Sequence, residues 1–137
     1  MKRNEPVSHI MTPNPYTLQR GQSASTVRHM FAEYPIHHIP VVDGKTLVGM
    51  ISMADLLGRS WGATDGRSLD ALLDATTTVA DLMTTSPVTI RANTSIRDTA
   101  ALLAKGNFHG MPVVDEDDGV VGIVTTTDLM KFLLEQY

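Results

Sequence analysis

Three threonines and an aspartate, Thr125, Thr126, Thr127 and Asp128, stand between a small apolar run at 122–124 and the leucine-rich stretch 129–137. Hydroxyls and a carboxylate at such a junction can do two things. Ser, Thr and Asp side chains cap a helix by accepting from its free backbone N–H groups. An acceptor carboxylate beside hydroxyls can also hold a ligand that brings hydroxyls of its own. The earlier stretch "GMISMAD" repeats the spacing, with Ser52 three positions before Asp55. Because a helix N-terminus also favours phosphate, capping and ligand binding are compatible here.

Three histidines form the next group: His37 and His38 before "IPVVD", and His109 before "GMPVVD". Imidazole can meet phosphate or metal, but no carboxylate or cysteine stands at ligand spacing, so no metal site is expected. Arg20, Arg28, Arg91 and Arg97 read first as solvated surface and second as phosphate contacts. The acidic run Asp115, Glu116, Asp117 and Asp118 lacks the spaced ligands of a calcium loop and reads as a hairpin turn. Catalysis is not expected, since there is no cysteine, no GxxxxGK loop and no Ser-His-Asp order.

The chain as a whole bounds these readings. Its 137 residues match about one ordinary domain. With 42% hydrophobic and 19% charged residues it buries a core rather than staying disordered. A net charge of −4 argues against a nucleic-acid partner. No apolar run approaches the roughly 20 residues of a membrane span, and no apolar signal core follows the basic start "MKRN". A cytoplasmic location without a membrane partner is the expectation.

The elements that must position these groups come in two copies. "VSHIMTPNPYTL" from Val7 aligns with "VADLMTTSPVTI" from Val79, placing Met11 on Met83, Pro15 on Pro87 and Thr17 on Thr89. The same register places His37 on His109, His38 on Gly110 and Pro40 on Pro112. One extra residue in the second turn then sets Ser52 on Thr125, Ala54 on Thr127 and Asp55 on Asp128.

Each copy reads as a helical lead-in ending at a proline turn, followed by β-α-β-β-α, an α/β (α+β) class. Short strands are expected at 16–18 and 88–90. The helices that follow show Ala24, Val27 and Phe31, or Ile96, Ala100 and Leu103, on one face. Ser95 with Asp98 resembles a capping box. Pro40 and Pro112 open the next strands, where no ladder donor is yet needed. Final helices start near Ala54 and Thr127. Gly49 and Gly122 inside strands mark close approach of a ligand or of packed neighbours. The units are 1–60 and 79–137, packed by pseudo-twofold symmetry. The linker 61–78 holds a loop, "WGATDGRS", and a short helix, "LDALLD".

Present twice and in order, "MTPNP" or "MTTSP", "HIPVVD" or "GMPVVD", and G-h-h-[ST]-x-x-D with h apolar resemble the cystathionine-beta-synthase (CBS) domain. The resemblance covers nearly the whole chain apart from the linker. It implies a tandem pair whose three-stranded sheets face each other across two clefts that bind AMP, ADP, ATP or S-adenosylmethionine. Asp55 and Asp128 match the aspartate that accepts from ribose hydroxyls; Ser52, Thr125 and Thr127 supply hydroxyls for ribose or phosphate. His37, His38 and His109 match phosphate-facing positions, with Gly110 in place of a side chain opposite His38. Thr17 and Thr89, with Tyr16 and Val88, match the strand lining the adenine slot, with Ile39, Pro40, Met111 and Pro112 beside it. The implied role is regulatory, often as a homodimer acting on another protein, with the adenosine compound as regulatory ligand and no obligatory cofactor. A structural dimerisation module with no bound nucleotide is the alternative.

Overall fold

A computed structural model describes residues 5–58 and 66–137, with the side chains of 66 and 67 excluded. In chain order come a 3-10 turn (Val7–His9), β1 (Thr12–Pro13), β2 (Leu18–Gln19), α1 (Ala24–Glu33), β3 (His38–Asp43) and β4 (Thr46–Ser52). There follow α2 (Met53–Leu57), α3 (Gly66–Thr76), α4 (Val79–Leu82), β5 (Thr84–Thr85), α5 (Ile96–Leu103), β6 (Gly110–Val114), β7 (Val120–Thr125) and α6 (Thr126–Glu135). No helix among the described residues is long and apolar enough to cross a membrane.

The chain forms two compact units: a continuous one, Tyr16–Ser86, and a split one, Met1–Pro15 with Pro87–Tyr137. The sequence repeats 1–60 and 79–137 are therefore not the compact bodies. The cause lies in the lead-ins. Strand β1 of the first repeat pairs antiparallel with β7 of the second, Thr12 opposite Ile123. Strand β5 of the second repeat pairs with β4 of the first, Thr85 opposite Gly49. Each lead-in joins the sheet of the other repeat. The sheets run β2-β3-β4-β5 in the continuous unit and β1-β7-β6 in the split unit, so the expected pair of three-stranded sheets gains a strand in one case.

The expected helix face holds, with Ala24, Val27 and Phe31 buried in the core of the continuous unit beside Leu18, Ile39, Val41, Ile51 and Leu73. The split unit centres on Val7, Met111, Val113 and Val124. The first strands shrink: residues 16–18 yield only β2, and 88–90 only a bridge from Ile90 to Val113. Leu18 and Ile90 enter the core, while Tyr16, Thr17, Val88 and Thr89 stay exposed. Strand propensity without a ladder partner does not make a strand.

Pro40 and Pro112 lie inside β3 and β6, which begin two residues earlier than expected. Pairing of β2 with β3 starts only at Val41, so Pro40 has an unpaired flank, the setting in which a strand tolerates proline. The final helices start one residue ahead of expectation, at Met53 and Thr126. Most of the expected loop at 61–68 lies outside the described residues. The helix expected at "LDALLD" is longer, filling Gly66–Thr76.

Helix α3 is amphipathic and holds to α1 by both faces of its chemistry. Leu73 is fully buried. Asp70 accepts from Arg28 Nε at 2.6 Å and Nη2 at 3.0 Å and meets His29 Nε2 at 2.8 Å. One turn on, Asp74 accepts from the Ser25 amide at 2.9 Å and its hydroxyl at 2.8 Å. Arg28, expected as solvated surface, is thus committed to an ion pair. Its guanidinium, and after it His29, holds the Asp70 carboxyl down to about 2.

Candidate functional site

Reciprocal capping boxes close the N-termini of α2 and α4 in the continuous unit and of α6 in the split unit. In the split unit Thr125, at the end of β7, is the N-cap of α6. Its Oγ1 accepts from the Asp128 amide at 3.2 Å, and Asp128 Oδ2 accepts from the Thr125 amide at 2.8 Å. The Thr125 hydroxyl also donates to Oδ2 at 3.0 Å. In the continuous unit Ser52 and Asp55 repeat the box, at 2.7 Å for the Ser52 amide to Oδ2 and 3.2 Å for the return bond. The cap is therefore Thr125, with Asp128 at the third helical position, rather than Thr126, Thr127 or Asp128. Ser95 caps α5 by accepting from the Asp98 amide.

The boxes leave each carboxylate half used. Oδ2 is committed to the cap, whereas Oδ1 of Asp55 and of Asp128 takes no hydrogen bond among the described residues. Both aspartates are half-buried. An ionised carboxylate keeps acceptor capacity on both oxygens, so a vicinal diol can bond there while the cap persists.

The histidines arrive beside these boxes through backbone bonds. The first amide of α6, Thr126, donates to the His109 carbonyl at 2.9 Å, and Met53 of α2 does the same to His37 at 3.0 Å. The Thr126 hydroxyl adds a 3.3 Å bond to His109 O. Across the hairpins His38 lies opposite Ser52, and Gly110 opposite Thr125. His37, His109 and Thr127 are exposed, and His38 is half-buried. One site therefore gathers His37, His38, Ser52 and Asp55; the other gathers His109, Gly110, Thr125, Thr127 and Asp128.

Other expected positions fall elsewhere. Ile39 and Met111 are fully buried, and Pro40 and Pro112 are buried beside them. The Ile39 and Met111 side chains belong to the cores of their units. Thr17 and Thr89 are exposed just ahead of β2 and the Ile90 bridge, with no hydrogen bond to the helix mouths among the described residues. Gly49 and Gly122 make room for Met83 and Met11, not for a ligand. The acidic run is a turn in which Asp115 Oδ1 accepts from the Asp117 and Gly119 amides, both at 2.9 Å. Among the described residues no three His, Asp or Glu side chains are grouped to hold a metal ion. Sequence reasoning missed the stack of Tyr16 on Tyr34, with ring centroids 4.0 Å apart. No periodic pattern links a residue before β2 to one after α1.

The CBS domain family model matches residues 7–62 and 79–135. CBSX2, a chloroplast CBS domain-containing protein of Arabidopsis thaliana, is 32% identical over 94% of this chain, which spans 63% of that protein's length. The structure of CBSX2 in complex with AMP matches at TM-score 0.80 and 31% identity, covering 96% of this chain and 98% of that one. The CBS domain pair of protein MJ0100, in complex with 5′-methylthioadenosine and S-adenosyl-L-methionine, matches at TM-score 0.78 and 27% identity, covering 96% and 98%. With both copies matched along nearly its whole length, the chain belongs to the CBS domain family as a tandem pair.

Proposed function

We propose that the chain is a non-catalytic regulatory module that binds an adenosine-containing ligand, AMP, ADP, ATP or S-adenosylmethionine, at the helix mouths of its units. The observation that carries this reading is the divided use of Asp128 and Asp55, each capping with Oδ2 and leaving Oδ1 to accept from a ribose diol. The AMP and S-adenosylmethionine bound by the two similar CBS pairs support the ligand class. Signalling requires that the ligand favour one arrangement of the protein over another, since equal affinity for both shifts nothing.

The capping geometry chooses the test. Asp128→Asn keeps an amide oxygen for the cap and removes the charge that a diol would meet. Loss of a charge-assisted hydrogen bond costs about 1.5–3 kcal/mol, roughly ten- to a hundredfold in Kd. Nucleotide-stripped protein is titrated calorimetrically with AMP, ADP, ATP, S-adenosylmethionine and NAD, beside Asp55→Asn and Asp128→Asn. Binding of one adenosine compound, weakened by that factor in one variant, is the expected result. Binding by none of the five would leave a dimerisation module with empty sites.

A further inference from the structure

Two strained residues stand at matching places in the lead-ins. Asn14, directly after β1, and Ser86, directly after β5, hold φ at 48° and 47°, the left-handed region that a side chain makes costly. Such residues persist only where their surroundings hold them. The ladders offer little hold, since β1 and β5 are two residues long. The Asn14 amide donates to the Val121 carbonyl at 3.1 Å and the Ser86 amide to Val48 at 3.4 Å. The methionine ahead of each strand does the rest: Met11 fills the notch at Gly122 and Met83 the notch at Gly49. Both are half-buried, and they pack against the cores of the split and the continuous unit.

We infer that Met11 and Met83 are paired, reversible modification sites, at which a peroxide oxidises the thioether to the sulfoxide and frees the lead-in. A sulfur lone pair attacks one peroxide oxygen; the S–O bond forms as the O–O bond breaks, sulfur gives up two electrons, and the other oxygen takes the remaining proton and leaves as water. A thioether suits the notch because it is apolar and adaptable. The sulfoxide adds a polar oxygen in a space already closed against a glycine backbone and an apolar core. The lead-in yields rather than the sheet, because β4 and β7 are paired along their lengths with β3 and β6. Once free, it presents the sulfoxide to thiol-dependent methionine sulfoxide reductases, which restore the thioether and release water as two thiols become a disulfide. The other described methionines differ. Met50 and Met111 are buried, Met130 is 57% exposed on α6, and Met30 and Met53 are half-buried on helices; none of them fills a glycine notch among the described residues. The inference is independent of the nucleotide reading.

The full chain is treated with graded hydrogen peroxide, freed of the oxidant, mapped by peptide mass spectrometry and melted. Sulfoxide at Met130 should leave the melting temperature unchanged, whereas sulfoxide at Met11 and Met83 should lower it by roughly 5–10 °C. Reductases for both sulfoxide epimers, with dithiothreitol, should restore it. Met11→Leu with Met83→Leu, a volume-conserving change, should remove the fall. Hydrogen exchange reads the same event in the native chain, whether or not that variant folds: the Asn14 and Ser86 amides should lose protection as the two sulfoxides form. A fall that tracks Met30, Met53 or Met130 overturns the inference. So does sulfoxide at both sites with an unchanged melting temperature or unchanged protection, a loss that the reductases do not reverse, a double variant that falls as far as the native chain, or a Met11 and Met83 that oxidise only after global unfolding.

Discussion

The Sδ of Met11 lies 2.5 Å from where a Cβ on Gly122 would stand, and Met83 covers Gly49 in the same way. Each methionine comes from the lead-in of one repeat and each glycine from the last strand of the other. The glycine is the notch that lets a lead-in reach the sheet it joins. Gly122→Ala should therefore destabilise the protein by about 1–3 kcal/mol through overpacking. Denaturant unfolding measures this. Adding Met11→Ala should recover part of the loss, and strict additivity of the two changes would show that they do not touch.

The clasp between α3 and α1 has a defined acid limit. Hydrogen bonds from Arg28, then His29, lower the Asp70 carboxyl from 3.8 to about 2. A depressed carboxyl contributes stability that is present above its unfolded value and is lost as pH falls through its folded one. Asp70→Asn should lower the melting temperature at neutral pH, and the gap to the native chain should close between pH 3.8 and about 2. A gap that persists at the acid end would mean that the substitution acts through packing instead.

Removing the cap and removing the diol acceptor should separate. Thr125→Ala deletes the hydroxyl that accepts from the Asp128 amide and should cost about 0.5–2 kcal/mol of stability. Asp128→Asn should cost less stability and more ligand affinity. Thermal melts with and without the ligand compare the two, and parallel effects on both quantities would argue that the carboxylate only caps.

Leu73 is fully buried although it sits in the segment between the repeats. Leu73→Ala should cost about 2–5 kcal/mol, the range for truncating a core leucine. A loss below about 1 kcal/mol would show α3 to be a loose cover rather than part of the core.

The polar junctions were legible in the sequence where their bonds are local. The Ser52-Asp55 and Thr125-Asp128 boxes close over three residues, so their hydroxyl-x-x-aspartate spacing is visible along the chain, whereas the identity of the capping residue emerged only from the structure. His37 and His109 stand beside these boxes because one backbone bond to the next helix brings them there. Ile39 and Met111 lie in the cores, which the sequence did not show, because an apolar residue beside a polar junction carries no mark of which way its strand faces until the partner strand sets the register.

The sequence by itself determined the two copies, their element order and the hydroxyl-x-x-aspartate junctions, since each depends on neighbours within a few residues along the chain. Tertiary structure alone decided which sheet each lead-in joins, how short the first strands are, and that Arg28 is tied to Asp70, 42 residues away. The physical reason is degeneracy. Two repeats with the same pattern offer each lead-in two chemically similar partners, and only the packed core, with Met11 on Gly122 and Met83 on Gly49, distinguishes them.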